Sequence, residues 1–249
     1  MPAAIILALA LLPQLVDRTQ PSPLPPVAGL TAEKRGDIYM ARKMYREAVE
    51  SYQQALRPEP KSHVLFNKLG IAYHQQMQLD QAMRHYERAV RLNKQYSEAV
   101  NNVGTVHYAR ASYRRAISSY RRALTLSPNS ASIHSNLGTA YFARKNYDKA
   151  SEHYLTAIKL DPEIFEHRGT FGSLLQERSV QDRARFHYYM AKTYAVAGYL
   201  ERALQYLRKA LEEGLKEKEK IPEQAEFAAL LDNPEFQQLI GSPVHVIPR

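Results

Sequence analysis

A spacing of 34 residues runs through the chain from residue 29 onward, and no other feature restricts the fold so sharply. Alanines recur at Ala48, Ala82, Ala116 and Ala150, each preceded twelve positions earlier by Gly36, Gly70, Gly104 or Gly138. Ala55, Ala89, Ala123 and Ala157 follow seven later, and Tyr52, Tyr86, Tyr120 and Tyr154 follow four later. Tyr39, Tyr73 and Tyr141 stand three after the glycine, and Pro60, Pro128 and Pro162 close three of the four units. A chain with this period builds one supersecondary unit many times over, and such a unit cannot bury its apolar face alone. Glycine opposite small alanines lets two antiparallel helices approach closely, with the aromatic rings filling the space above and below the contact. Proline after the second helix cannot continue it, so the chain turns into the next unit.

These small and aromatic positions resemble the tetratricopeptide repeat, a helix–turn–helix unit of 34 residues. The resemblance covers residues 29–164 as units 29–62, 63–96, 97–130 and 131–164. It implies an all-α, right-handed solenoid of stacked hairpins. A fifth hairpin is expected at 184–215 from Tyr194, Gly198, Ala203 and Ala210, with residues 165–183 as an insertion loop. A second register, placing Gly172, Ala184, Tyr188 and Ala191 in the repeat slots, would make that region a degenerate repeat. Ser179 with Asp182 three residues later has the form of a capping box that starts a helix. Residues 216–249 read as a cap and tail. Asn233 followed by Pro234 predicts a short helix over 234–240 that covers the last hairpin, as stacked arrays require.

Residues 1–28 read differently. Positions 3–12 form an apolar run of ten, too short for a helix across a bilayer, and residues 21–26 are rich in proline. The run suits the apolar core of a secretory signal, although no Lys or Arg precedes it. Export to the periplasm or outside the cell is therefore the expectation, with the cytoplasm as the alternative.

The absence of cysteine excludes disulfides, thiol nucleophiles and thiolate metal sites. No glycine-rich phosphate loop, Gly-x-Ser-x-Gly turn or dinucleotide fingerprint occurs, so neither catalysis nor a cofactor is indicated. None of the nine histidines forms a His-x-x-x-His pair. His107, His134 and His187 fall in aromatic packing slots. His107 and His134 could approach each other, but a third metal ligand is lacking, and no metal site is expected.

What remains is surface. The first helix of each unit lines the inside of the superhelix, and the positions around its glycine face the groove. Lys34, Lys68, Asn102 and Asn136 stand two before the glycine, Thr105 and Thr139 one after it, and Tyr108 and Phe142 four after it. A side-chain amide can match the N–H and C=O of a peptide backbone without demanding a particular sequence. Asn102 and Asn136 resemble a short form of the asparagine ladder in the O-linked N-acetylglucosamine transferases. That resemblance implies a groove that holds a segment of another protein, with Lys34 and Lys68 available to its acidic side chains. The carboxylate clamp of chaperone-binding relatives is not expected, because Glu33 and Asp37 stand where its Lys and Asn would be.

Charge marks a second surface. The chain carries 34 Lys and Arg against 25 Asp and Glu, a formal +9. The whole surplus lies within residues 31–164, and no acid occurs between Glu98 and Asp148. Arg114 with Arg121, and Arg115 with Arg122, are seven apart and share one side of the outer helix of unit three. This face suits an acidic protein or an anionic membrane surface before nucleic acid, which would need planar groups interleaved with the charges.

Overall fold

The structure, a computed structural model, describes residues 29–166, 179–216 and 218–241. The apolar run at 3–12, the proline-rich stretch at 21–26 and residues 167–178 of the expected insertion lie outside the described residues. The described chain folds into helices, with no strand among the described residues. The first four hairpins pair α1 (Ala32–Ala41) with α2 (Tyr45–Leu56), α3 (His63–Gln75) with α4 (Leu79–Leu92), α5 (Ser97–Ala109) with α6 (Tyr113–Leu126), and α7 (Ala131–Ala143) with α8 (Tyr147–Leu160). A fifth pairs α9 (Val180–Val196) with α10 (Leu200–Glu212), and α11 (Pro234–Ile240) packs on α10. Each second helix packs on the first helix of the next hairpin, and α9 continues the stack on α8. The result is a right-handed solenoid with a C-terminal helical cap.

Close approach inside each hairpin comes from one contact. A Cβ added to Gly36, Gly70, Gly104 or Gly138 would lie 2.4, 2.5, 2.6 or 2.6 Å from the ring of Tyr52, Tyr86, Tyr120 or Tyr154. Each tyrosine therefore lies flat against the glycine backbone of its partner helix. All four rings are buried, each contributing about 2 kcal/mol through its apolar body. In the fifth hairpin Ala191 takes the glycine slot and Leu207 the tyrosine slot, both fully buried. A methyl group enters where a smaller side chain leaves room for it.

The turn inside each hairpin is equally regular. Lys43, Met77, Ala111, Lys145 and Gly198 hold it with φ of 59°, 58°, 55°, 60° and 84°. This left-handed residue lets the next N–H reach back to the helix end, as Met44 N–H does to the Tyr39 carbonyl at 2.9 Å and Tyr199 N–H to that of Tyr194 at 2.9 Å. Only the fifth hairpin uses glycine there.

Helix starts follow from local chemistry. The Ser179 hydroxyl accepts from Asp182 N–H at 3.1 Å and donates to the Asp182 carboxylate at 2.8 Å, so α9 begins at Val180, ahead of the expected 184. Asn233 Oδ1 accepts from the N–H groups of Glu235 and Phe236, with Pro234 in the first turn of α11. A 3-10 segment, Ala225–Leu230, within the stretch expected to form the cap, packs on α9 and buries Phe227 beside Tyr188.

Candidate functional site

The concave side is built by α1, α3, α5, α7 and α9, and its polar side chains are used first to join neighbouring hairpins. Lys68 Nζ donates to Glu33 Oε1 at 2.7 Å, Asn102 Nδ2 to Asn67 Oδ1 at 2.9 Å, and Asn136 Nδ2 to Asn101 Oδ1 at 3.0 Å. Each bond spans 35 residues, from two before one glycine to three before the previous glycine. Asn101 Nδ2 donates to Asn102 Oδ1 at 3.3 Å and Asn67 Nδ2 to the Tyr96 hydroxyl at 3.3 Å. That hydroxyl donates to Glu98 at 2.7 Å. The amides thus form one directed relay, Asn136 to Asn101 to Asn102 to Asn67 to Tyr96 to Glu98. Burial, with the Glu98 bond, pushes the Tyr96 hydroxyl up to about 12.

This revises the expected groove contacts. The Lys68 ammonium is already engaged within the fold, held by Glu33 and by both Asp37 oxygens at 2.8 and 2.9 Å. Burial alone would lower its pKa, but the bonds to Asp37 and Glu33 outweigh burial and raise it. Lys34 stays exposed. Asn102 and Asn136 each give one N–H to the relay, which leaves each amide a second N–H. Asn67 and Asn101 complete the relay, and the sequence reading missed them. Complementary polar residues 35 apart, rather than 34, were the signal.

The position after each glycine has its own internal task. The Tyr52 hydroxyl donates to Asp37 at 2.8 Å and that of Tyr154 to Thr139 Oγ1 at 3.3 Å, while the Tyr120 hydroxyl has Thr105 beside it. Both threonine hydroxyls donate to the carbonyl four residues earlier, Thr105 to Asn101 and Thr139 to Ser135. Thr139 is largely buried, and it contributes to the lining of the same concave cavity as Asn102 and Asn136. Phe142 is also buried, packed on Phe186 at 5.5 Å and Tyr147 at 5.1 Å, where it seats the fifth hairpin. Tyr108 stays half-buried beside Tyr113 and faces a concave cavity of about 310 Å³, lined also by His74, Tyr86, Asn102, Thr105 and Asn136. A second cavity of about 340 Å³ shares Ile71, Asn101 and Asn102 with it and adds Asn67, Ser97, Glu98, Ser127, Ser130, Ser132 and Ile133.

Models of the tetratricopeptide repeat match residues 36–77 and 104–143, 64–96, and 131–164. The chain is a tetratricopeptide-repeat protein. No curated protein matches it. Among solved structures, MamA from Desulfovibrio magneticus (41 to end) is similar with a TM-score of 0.51 at 18% identity, over 73% of this chain and 92% of that one. Another MamA crystal structure gives 0.49 at 23%, over 72% and 93%. YrrB, described as a TPR protein with an unusual peptide-binding site, gives 0.47 at 19%, over 75% and 86%.

Along the tetratricopeptide groove the fifth hairpin changes character. Counted from Ala191, its concave slots are Tyr188, Tyr189 and Lys192, residues a uniform application of the repeat register would have named. Lys192 Nζ lies 5.7 and 5.9 Å from the Tyr188 and Tyr189 rings and donates to Gln224 at 3.0 Å and Glu226 at 2.8 Å. Burial would raise the Glu226 carboxyl, but the Lys192 bond holds it below the usual range. Lys192 thereby latches the cap onto α9. Arg185, Tyr188, Tyr189 and Lys216 join it around a cavity of about 360 Å³.

On the outer side, Arg114, Arg115, Arg121 and Arg122 are all exposed along α6. Arg114 and Arg115 share an open cavity of about 570 Å³ with Arg144. The histidine pairing differs from expectation: the Nδ1 atoms of His134 and His153 lie 3.2 Å apart, and His134 Nε2 lies 3.1 Å from the Pro128 carbonyl oxygen. His153 stacks on Tyr141 at 5.6 Å, and burial, then His134, lowers its pKa. His153 sits three after Ala150 on α8, a slot that α6 fills with Ser119.

Among the described residues no helix is long and apolar enough to cross a membrane.

Proposed function

We propose that this chain is a non-catalytic adaptor whose concave groove, over units two to four, holds an extended segment of a partner protein. The observation that carries the reading is the pair of cavities sharing Ile71, Asn101 and Asn102, which together make a trough of amide and hydroxyl groups across three hairpins, with the Glu98 carboxylate in the second. Asn102, Asn136 and Tyr108 line it, and amides already fixed by the relay present their remaining donors without losing further side-chain freedom. An extended backbone offers the matching carbonyls at regular steps.

The test uses Gln75 and Met77, exposed residues at the trough wall whose change leaves the relay intact. Partners cross-linked to the parent chain should be lost from the double variant Gln75→Arg with Met77→Arg. Partners retained at full yield by that variant would remove the groove from consideration.

A second reading rests on the α6 arginines. Four exposed guanidinium groups, with Arg144 beside two of them, suit docking to an acidic protein surface or an anionic membrane. Arg114→Glu with Arg121→Glu should abolish such docking while sparing the groove. Loss through the Gln75 and Met77 variant alone would rule out the arginine face.

A further inference from the structure

One unit of the four breaks the internal pairing of the buried tyrosines. Asp37 and Thr139 each take up the hydroxyl of their own hairpin's tyrosine, and the Tyr120 hydroxyl has the Thr105 hydroxyl beside it. Unit two has Ile71 at that position, and a hydrocarbon side chain can accept nothing. The Tyr86 ring is 1% exposed, and its hydroxyl has no hydrogen-bond partner among the described residues. The hydroxyl is not fully enclosed: it opens into a cavity, where it is free to donate. Tyr86 is also part of the lining of the 310 Å³ cavity, together with Asn102 and Asn136.

The cavity's charge narrows what could satisfy this hydroxyl. Its lining contains no Asp, Glu, Lys or Arg, and burial holds the His74 imidazole below its ordinary value, toward the neutral form. In this cavity a ligand carboxylate would enter without a cation to meet it, and a ligand ammonium without an anion, so each would lose hydration with no compensation; Glu98, in the adjoining cavity, already accepts from the Tyr96 hydroxyl. A neutral carbonyl oxygen loses little and completes the phenol.

Resting on the groove reading above, we propose that Tyr86 is the specificity-determining contact of the trough. Its hydroxyl donates to a carbonyl oxygen of an uncharged, polar, extended partner segment, one built of Ser, Thr, Asn or Gln. Ile71 is what leaves that donor vacant for the partner.

The experiment screens the full chain against immobilised 12-residue peptides in three composition classes: Ser/Thr/Asn/Gln-rich, acidic and basic. Soluble copies of the strongest binders are then titrated by fluorescence polarisation. The uncharged class should bind best. Tyr86→Phe should weaken those peptides about tenfold, the scale of one buried hydrogen bond, without lowering the thermal midpoint. Ile71→Thr, which gives Tyr86 an internal acceptor, should weaken them similarly. Tyr154→Phe, which removes a hydroxyl already donated to Thr139, should lower the midpoint and leave affinity within about twofold. Preferential binding of either charged class overturns the proposal. So does unchanged affinity in Tyr86→Phe for peptides that Gln75→Arg abolishes, a result that would leave the groove reading standing. Binding of no class would overturn the groove reading and this proposal together.

Discussion

Units one to four and the fifth hairpin meet the same packing requirement with different side chains. In the first four, glycine on one helix receives a tyrosine ring from the other; in the fifth, Ala191 faces Leu207. The turns differ in the opposite sense, with Lys43, Met77, Ala111 and Lys145 in left-handed backbone where the fifth hairpin has Gly198. What persists between the two regions is a sum: small against large inside the hairpin, and a left-handed residue at its bend. The tyrosine version adds something leucine cannot, a hydroxyl at the groove wall that needs a partner.

The largest effect should come from breaking the glycine contact. Gly138→Ala puts a Cβ 2.6 Å from the Tyr154 ring and 3.1 Å from the Ala150 carbonyl oxygen, and should destabilise by about 2–3 kcal/mol in thermal or urea unfolding. Converting the site to the fifth hairpin's pair, Gly138→Ala with Tyr154→Leu, should cost less than the two single changes added together. Strict additivity would show that the two regions do not share one packing rule.

Next comes the relay. Asn102→Ala removes the donor to buried Asn67 and the acceptor of Asn101, and should lower stability by about 1–2 kcal/mol. The fifth hairpin, joined by Phe142 packing instead, should report no comparable loss when Tyr189 is replaced by Phe.

Lys68→Met should cost about 1 kcal/mol, because the Glu33 and Asp37 partners are partly solvated. The pH dependence has a definite sign. The folded pKa of Lys68 lies above its unfolded value, so its contribution is complete below the ordinary lysine value and is lost as pH rises through the folded value. The gap in thermal midpoint between parent and variant should therefore be widest near neutral pH and narrow in strong alkali. A gap that widens there would contradict the assigned bonds.

The smallest change concerns the bends. Ala111→Gly relieves a left-handed alanine and should stabilise by about 0.5–1 kcal/mol, whereas Gly198→Ala should destabilise by a similar amount. Equal signs for the two would mean that backbone strain is not what separates them.

Much of the fold could be read from residue types alone, because each slot in the repeat carries one physical demand. Glycine, alanine and tyrosine at fixed offsets specify a contact distance, and Ser179 with Asp182 or Asn233 with Pro234 specify where helices begin. The site was less legible. Asn102 and Asn136 were visible as groove residues, yet their partners Asn67 and Asn101 lie one position off the repeat period. Thr139 and Phe142 were placed on the correct helix at groove-facing slots; Thr139 lines the cavity while also accepting the Tyr154 hydroxyl, whereas the fifth hairpin covers Phe142. Lys68 is a similar case, visible as a cation and then neutralised by two acids from the preceding unit.

Period, helix pairing, basic outer face and the lack of thiol chemistry were thus set in the linear order of residues, since each depends on residue type and spacing. Which polar groups consume one another was decided only when the hairpins stacked. A hydrogen bond depends on where two atoms end up, and the offset between successive hairpins turns a 34-residue repeat into bonds that span 35. That offset pairs the amides with each other and, through the single isoleucine at position 71, leaves the Tyr86 hydroxyl facing the groove without a partner.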